Sequence, residues 1–381
     1  MDVFINDISV FLPNEPIDND AMENVLGKVN EIASRTKKII LRNNKINTRY
    51  YAIDPISGDL THTNVEITAK AIRGLSPSTD FNINDIQLLC SGSSSPDSVL
   101  PGLGVMVHGE LGISECEVIS TAGICLSGIC ALKYAQMSII SGNTTNAVAT
   151  GSELASSFLR SKFFDHSVNG NIDLESNPEL AFSSDFLRWM LSDGAGAMYL
   201  SNKKNESGIS LKIDWIEIIS YAGEFDTCMY QGAIKQEDGT LKGYREFNTF
   251  GDATRENCLA VQQDVKLLND HIVNVAVDRA LVNVAKKRNL NPEDIDWYLP
   301  HFSSGHFQDK LFDRMKEIGF YIPIEKWFTN LFTKGNVGSA AIYVILEEIY
   351  KSDKLKIGDK ILMMIPESGR FSVSYVLLTV V

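Results

Sequence analysis

The sequence predicts an α/β protein with a mostly parallel sheet and helices on its faces. Short apolar segments typical of buried strands alternate with segments whose apolar residues recur at helical spacing. The predicted strands cover residues 3–12, 86–90, 209–220 and 295–299, and the predicted helices cover 22–33, 65–75, 106–111 and 254–287. Strands that alternate with helices need crossover connections, which favour parallel pairing.

Residues 116–141 carry the clearest chemical signal. A β-type run at 116–120 passes through small residues into a helix that begins after Cys125. The positive end of a helix and its unpaired N–H groups favour thiolate over thiol. We therefore predict a lowered pKa and a nucleophilic role for Cys125, with a buried hydrophobic cysteine as the alternative. Cys130 lies farther along the helix and is predicted to be structural.

Composition and charge exclude several classes of protein. The net charge of −13 argues against nucleic-acid binding, which depends on lysine and arginine contacts to phosphates. No apolar run reaches the ~18 residues of a membrane span, and the N-terminus lacks the cationic flank of a signal peptide, so we expect a cytoplasmic protein. The six cysteines and the histidines show no spacing typical of disulfides or metal ligands, so we expect no metal.

Basic residues cluster in one segment of this acidic chain. The cluster comprises Arg35, Lys37, Lys38, Arg42, Lys45 and Arg49. Such a cluster is suited to the phosphates of coenzyme A or to the acidic face of an acyl carrier protein. The alternative is a solvated helix face.

Two further features concern organisation. Residues 156–190 lose regular periodicity, which is typical of a lid or binding loop, and we interpret them as a cap over the site. Residues 85–91 and 294–300 are both short apolar strands that follow a helix and end at a polar turn, which suggests an internal duplication.

The run AGICLSGICALKYA, followed by SGNTTNAVATGSE, resembles the nucleophile segment of the ketoacyl-synthase III branch of the thiolase superfamily. Further blocks follow in the family's order: DGAGA at 193–197, DWYLPH ending at His301, and KGNVGSAA containing Asn336. The resemblance covers essentially the whole chain. It implies a thiolase-like fold of two duplicated βαβαβαββ halves, 1–200 and 201–381, in a five-layer α-β-α-β-α arrangement.

The resemblance also implies a chemistry. Cys125 would be acylated by a thioester, and His301 and Asn336 would bind the carbonyl of a second thioester and stabilise the attacking carbanion. From the residues alone, a satisfied core histidine and a turn asparagine stay open as alternatives. The family needs no cofactor, takes its acyl groups from acyl carrier protein or coenzyme A, and forms homodimers.

Further residues are predicted to bind substrate. Ser368, Gly369 and Arg370 stand where the family has a glycine-rich turn close to the cysteine, and Phe302 follows the histidine where the family has glutamine. An arginine in that turn would offer a fork of donors to a carboxylate or enolate. Glu153 is predicted to be its salt-bridge partner or a base, with a structural carboxylate as the alternative.

Two longer segments resemble a particular group, the condensing enzymes of dialkylresorcinol and flexirubin-type pathways. These segments are NDISVFLPNEPIDND and HGELGISECEVISTAGICLSG. That resemblance implies Michael addition of a β-ketoacyl thioester to an enoyl thioester and Claisen closure of a 1,3-cyclohexanedione. The alternatives are a synthase III performing decarboxylative condensation, a hydroxymethylglutaryl-coenzyme A synthase, a thiolase, and a non-catalytic subunit. No cysteine follows Cys258, which disfavours a thiolase.

Overall fold

The computed structural model describes residues 1–78, 81–164 and 185–381. The strands are β1 (Phe4–Phe11), β2 (Ile17–Asp18), β3 (Thr48–Arg49), β4 (Leu88–Ser93), β5 (Glu117–Ala122), β6 (Asn146–Glu153), β7 (Gly194–Ser201), β8 (Leu211–Ser220), β9 (Met229–Tyr230), β10 (Ala233–Lys235), β11 (Leu241–Gly243), β12 (Gln262–Gln263), β13 (Trp297–Pro300), β14 (Lys360–Glu367) and β15 (Ser372–Val380).

The α-helices are α1 (Met22–Leu26), α2 (Lys37–Asn44), α3 (Asn64–Arg73), α4 (Leu103–Leu111), α5 (Ser127–Ser141), α6 (Ser156–Leu159), α7 (Phe250–Arg255), α8 (Val265–Val273), α9 (Val282–Arg288), α10 (His306–Glu317), α11 (Leu331–Lys334) and α12 (Ala341–Tyr350). A π-helical segment, Asn274–Leu281, joins α8 to α9, and a 3₁₀ turn, Gly338–Ala340, precedes α12.

The nine long strands form one mixed sheet in the order β13-β14-β15-β8-β1-β7-β6-β4-β5. Strands β5, β4 and β6 are parallel to one another, and so are β13 and β14, whereas the other neighbours are antiparallel. The α/β class is therefore confirmed, although the sheet is mixed rather than mostly parallel. Parallel pairing is confined to the two outer regions, where helices cross over between strands.

The sheet contains the same unit twice. In the first half, β4, β6, β7 and β1 are neighbours with one parallel and two antiparallel pairings, and β13, β14, β15 and β8 repeat this pattern in the second half. The counterpart of β5 is reduced to a parallel bridge between Tyr298 and Trp327. The duplication suggested by residues 85–91 and 294–300 corresponds to β4 and β13.

Three hydrophobic cores separate the layers. One packs α3 and α4 against the first half of the sheet, and another packs α8, the π-helical segment, α9 and α10 against the second half. The third core lies between the halves and holds the buried faces of α5 and α12. Two outer helical layers, two half-sheets and one central helical layer give the five layers of the predicted architecture.

Some predicted elements were wrong in extent. The predicted helix at 254–287 is interrupted, because α7 ends before Asn257, whose φ of 62° is left-handed, and β12 pairs with β9 before Asp264 caps α8. The predicted helix at 22–33 ends near Gly27, where φ is 78°. Of the predicted cap at 156–190, residues 165–184 lie outside the described residues.

The central helices approach each other so closely that a side chain is excluded at their contact. A Cβ added to Gly128 in α5 would lie 2.5 Å from the carbonyl oxygen of Ser339 and 2.9 Å from the ring of Tyr343. Gly109 in α4 provides a contrast, since no atom of the described residues outside its chain neighbours and its own helix backbone lies within 4 Å of an added Cβ there.

We predict that Gly128→Ala destabilises the protein by about 1–3 kcal/mol, the cost typical of overpacking a core. Gly109→Ala, the matched control, is expected to be neutral or to stabilise by up to about 1 kcal/mol through helix propensity. Chemical denaturation of both variants measures the effect. Equal stability of the two variants would contradict the close approach of α5 to Ser339.

Candidate active site

Cys125 lies at a sharp turn between β5 and α5. Strand β5 ends at Ala122, Gly123 takes a φ of 150°, and α5 begins two residues after the cysteine. The Cys125 side chain is 8% exposed, which leaves a small part of it accessible. The strand-to-helix junction predicted for Cys125 is therefore confirmed.

The predicted lowering of the Cys125 pKa was wrong. The backbone N–H groups of Ile124 and Leu126 donate to one carboxylate oxygen of Glu367, at 2.9 and 3.0 Å, so these donors at the start of the helix are not available to a thiolate. Burial, followed by the charges of Glu367 and Glu153, raises the pKa of Cys125 well above its ordinary value.

His301 follows β13 at the carboxyl end of that strand. Its backbone N–H donates to the carbonyl oxygen of Met364 on β14, which fixes the position of the residue. The side chain is buried, and burial lowers the pKa of the imidazole to about 4. His301 is therefore neutral near pH 7. A neutral imidazole donates one hydrogen bond from one ring nitrogen and accepts one at the other.

Asn336 stands just before the turn that begins α12. Its backbone forms a bridge to Leu191, and its side-chain oxygen accepts from the N–H of Gly338 at 3.0 Å. Within the described part of the chain the amide NH₂ group has no hydrogen-bond partner. The NH₂ group is thus the end of the side chain free to donate to a ligand oxygen.

Glu153 ends β6 and is buried beside Cys125. The hydroxyls of Ser94 and Ser95 donate to one carboxylate oxygen, and the N–H of Ser339 donates to the other at 3.3 Å. Burial raises the pKa of Glu153 despite these hydrogen bonds.

The predicted salt bridge between Glu153 and Arg370 is wrong. Arg370 is exposed, and its Nε donates to the carbonyl oxygen of Phe225 at 2.6 Å. In the turn that follows β14, the residue with a left-handed backbone is the buried Phe371, with a φ of 57°. The predicted contact of Arg370 with a substrate oxygen therefore has no structural basis, because the guanidinium lies on the surface.

The other predicted binding residues lie closer to the cysteine. Ser368 and Phe302 both line a cavity that reaches Cys125. The carbonyl oxygen of Gly369 accepts from the backbone N–H of Cys228 at 2.8 Å, so this residue fixes the turn through its backbone.

Two chambers meet at Cys125. The first is mostly apolar and contains His301; it is lined by Cys125, Leu268, Ile272, Val273, Ala276, His301, Phe302, Ser303, Phe307, Leu311, Pro366 and Ser368. The second contains Glu153 and Asn336; it is lined by Ser94, Ile124, Cys125, Glu153, Phe158, Leu187, Met190, Leu191, Met229, Gln263, Ser303, Asn336, Gly338 and Ser368. Cys125, Ser303 and Ser368 belong to both chambers.

The sequence interpretation missed Glu367. The signal that could have found it is the duplication, since β6 and β14 are both eight residues long and both end in glutamate. Each glutamate accepts hydrogen bonds at the start of the opposite central helix: Glu153 near α12 and Glu367 near α5.

Comparison with known proteins finds similarity to synthase III proteins. Residues 285–372 match the family model described as 3-Oxoacyl-[acyl-carrier-protein (ACP)] synthase III C terminal. The chain is 25% identical over 359 residues to a beta-ketoacyl-[acyl-carrier-protein] synthase III of Clostridium perfringens, covering 93% of this chain and 92% of the relative. It is 22% identical to the synthase III of Clostridioides difficile, over 94% and 92% of the two chains.

Solved structures share the fold along the whole chain. OleA of Xanthomonas campestris, as the E117A variant, superposes with a TM-score of 0.77 at 19% identity, covering 99% of this chain and 98% of OleA. The tetronic acid condensing enzyme AbyA1 superposes with a TM-score of 0.74 at 17% identity, covering 99% of each chain. The thiolase-like fold is thereby confirmed. Within that fold, the chain is similar over most of its length to synthase III proteins.

The described residues contain neither a helix suited to cross a membrane nor a cluster of metal ligands. None of the helices described is long and apolar enough to cross a membrane. No group of histidine, cysteine, aspartate and glutamate side chains in residues 1–78, 81–164 and 185–381 is arranged to hold a metal ion.

The low pKa of His301 gives a testable effect on stability. The unfolded chain takes up a proton at this residue near pH 6.5, whereas the folded protein does so only near pH 4. Between these values the unfolded state binds more protons, so acidification destabilises the fold, by up to about 3 kcal/mol through this residue. We predict that His301→Gln removes this contribution. As the pH falls from 7 to 4, the free energy of unfolding of the wild type should therefore decrease more than that of the variant.

Denaturant unfolding of both proteins across that pH range measures the difference in their free energies of unfolding. Other buried groups titrate in both proteins, so their contributions cancel in this difference. Parallel curves for the two proteins would contradict a neutral, desolvated His301.

Proposed function

We propose that this protein is an enzyme that forms carbon–carbon bonds between two acyl thioesters, with Cys125 as the acylated nucleophile. The observation that carries this proposal is the position of Cys125, at the meeting point of two chambers. In this proposal an acyl group on the sulfur would lie toward one chamber, and the second thioester would approach from the other.

The other polar groups have roles suited to this chemistry. In the first step the Cys125 sulfur forms a bond to the acyl carbon, the donor thioester C–S bond breaks, and the donor leaves as a thiol. In the second step the Asn336 NH₂ group and neutral His301 donate to the carbonyl oxygen of the second thioester and stabilise its enolate. That enolate, formed by loss of a proton from the α-carbon, attacks the acyl carbon on Cys125; the C–S bond to the cysteine breaks, and the proton passes to the released sulfur.

The charges around the chambers favour thioesters without a free carboxylate. Within the described part of the chain, neither chamber is lined by lysine or arginine, and Glu153 lies in the second chamber. A malonyl carboxylate would meet a negative charge there with no cation to offset it. Glu153, with its raised pKa, is a candidate base for removing a proton from the α-carbon of an uncharged thioester.

We therefore propose the ring-forming reaction as the specific activity. A β-ketoacyl thioester would add to an enoyl thioester, and Claisen closure would give a 1,3-cyclohexanedione precursor of dialkylresorcinols. Apolar side chains such as Leu268, Ile272 and Phe307 line the first chamber, which suits contact with an alkyl group. The alternative is the decarboxylative condensation of a synthase III, the name carried by the relatives from Clostridium perfringens and Clostridioides difficile.

The thioesters are proposed to arrive on acyl carrier protein or coenzyme A, past the basic cluster. The residues of that cluster differ in exposure. Arg49 is buried and Lys37 pairs with Glu23, whereas Lys38 and Arg42 are exposed on α2. The carbonyl oxygen of the last residue of α2 accepts from the N–H of Gly305. Helix α2 therefore lies beside the turn that carries Phe302 into the first chamber.

The test is an assay of purified protein with pairs of acyl thioesters. We expect a β-ketoacyl and an enoyl thioester together to give a cyclohexanedione by mass spectrometry, and a malonyl thioester to be a poor donor. Asn336→Ala is expected to retain acylation of Cys125 and to slow condensation by about 10²–10³-fold. Preference for the malonyl donor would favour the synthase III reaction, and absence of product from every pair would favour a non-catalytic role.

A homodimer is also proposed, because the described strands leave an edge of the sheet unpaired in the first half. Strand β6 is not at that edge, since it lies inside the sheet between β4 and β7. Strand β5 is the edge strand of the first half, and the Ser120 hydroxyl oxygen within it accepts from the N–H of Gly104, next to the loop where Val99 and Leu100 are 72% and 80% exposed. An unpaired edge beside exposed apolar residues is the surface expected to pair with a second copy.

Light scattering at micromolar concentration is expected to give twice the chain mass of 42.2 kDa. Leu100→Asp should shift the population toward the monomer, because it introduces a charge beside the β5 edge. Ile357→Asp, a control at a residue 68% exposed in the second half of the chain, should remain dimeric. A monomeric wild type would exclude this interface.

A further inference from the structure

The carboxylate of Glu367 lies across the start of the helix that follows Cys125. One of its oxygens accepts from the N–H groups of both neighbours of the cysteine, Ile124 and Leu126. A Cβ added to Gly123, one residue before Ile124, would lie 3.3 Å from the same oxygen. The turn that presents the thiol is thus built around a negatively charged group from the end of β14.

This arrangement reverses the usual effect of a helix N-terminus on a cysteine. Free N–H groups and the helix dipole stabilise a thiolate. Here the two N–H groups are occupied, and a carboxylate offsets the positive end of the dipole. We infer that Glu367 is a positioning residue that holds Cys125 as a neutral thiol until an acyl thioester is bound. The inference rests on the proposed role of Cys125 as the reacting thiol.

The other ionisable groups around the cysteine either also disfavour the thiolate or carry no charge at pH 7. Glu153 lines the second chamber with Cys125 and adds a second negative charge, whereas His301 in the first chamber is neutral at pH 7. Burial is the largest cause of the raised pKa of Cys125, and both carboxylates add to it, Glu367 more than Glu153. No cation among the lining residues that the structure describes offsets them.

A neutral thiol has a consequence for the chemistry. Thiolates react with alkylating agents and oxidants, whereas thiols react slowly. The resting enzyme would therefore be protected from these reactions, and acylation would be coupled to the donor. The Cys125 S–C bond forms, the donor S–C bond breaks, and the thiol proton leaves with the donor thiolate.

The test is the pH dependence of iodoacetamide alkylation at Cys125, resolved from Cys130 by fragment mass spectrometry. Glu367→Gln removes the charge and keeps one carbonyl oxygen that is able to accept from both N–H groups. Because a nearby negative charge raises a thiol pKa, its removal should lower the midpoint by about one pH unit. The alkylation rate at pH values below the midpoint should rise about tenfold.

Two variants serve as controls. Glu367→Asp keeps the charge and should retain the high midpoint, and Glu153→Gln removes the other carboxylate and should give a smaller shift. Melting temperatures measured on the same samples identify any variant that is not folded. A profile for folded Glu367→Gln that coincides with the wild type would overturn the inference, as would an equal shift in Glu367→Asp. Alkylation needs no acyl donor, so failure of the proposed condensation would leave this measurement unaffected.

Discussion

Two crossed carboxylate contacts position the central helices, and the rest of the site depends on them. Glu153, at the end of β6 in the first half, accepts from the N–H of Ser339 at the start of the helical region of the second half. Glu367, at the end of β14 in the second half, accepts from Ile124 and Leu126 at the start of α5 in the first half. Each contact satisfies backbone donors that a helix start leaves unpaired, and each is made between halves.

The same duplication explains why the candidate catalytic groups are unlike one another yet occupy related places. Cys125 precedes the central helix of the first half, and Asn336 precedes that of the second. A glycine with positive φ lies within two residues of each of them: Gly123 near Cys125 and Gly338 near Asn336. A Cβ added to either glycine would approach the carboxylate that caps the same helix. A repeated backbone with different side chains thus places a thiol and an amide together at the centre of the molecule.

Much of this was predictable from the sequence, and the failures have physical causes. Strand and helix periodicity located most of the large sheet, and the junction at Cys125 followed from small residues between a strand and a helix. The raised pKa of Cys125 was not predictable, because it arises first from burial and then from the charge of Glu367, about 240 positions later in the chain, which only the fold brings to the helix start. The predicted place of Arg370 in the site was wrong for a similar reason. Its neighbours in sequence reach the site, but its side chain lies on the surface beside Phe225.

The central claim is that one cysteine of the six carries the acyl group between two chambers. Its most direct test is incubation of the purified protein with a single acyl thioester, followed by fragment-resolved mass spectrometry of every cysteine-containing peptide. The account predicts one acyl adduct, on Cys125, lost in Cys125→Ala and unchanged in Cys130→Ala. An adduct on Cys130, or on any other cysteine with Cys125 unmodified, would contradict it.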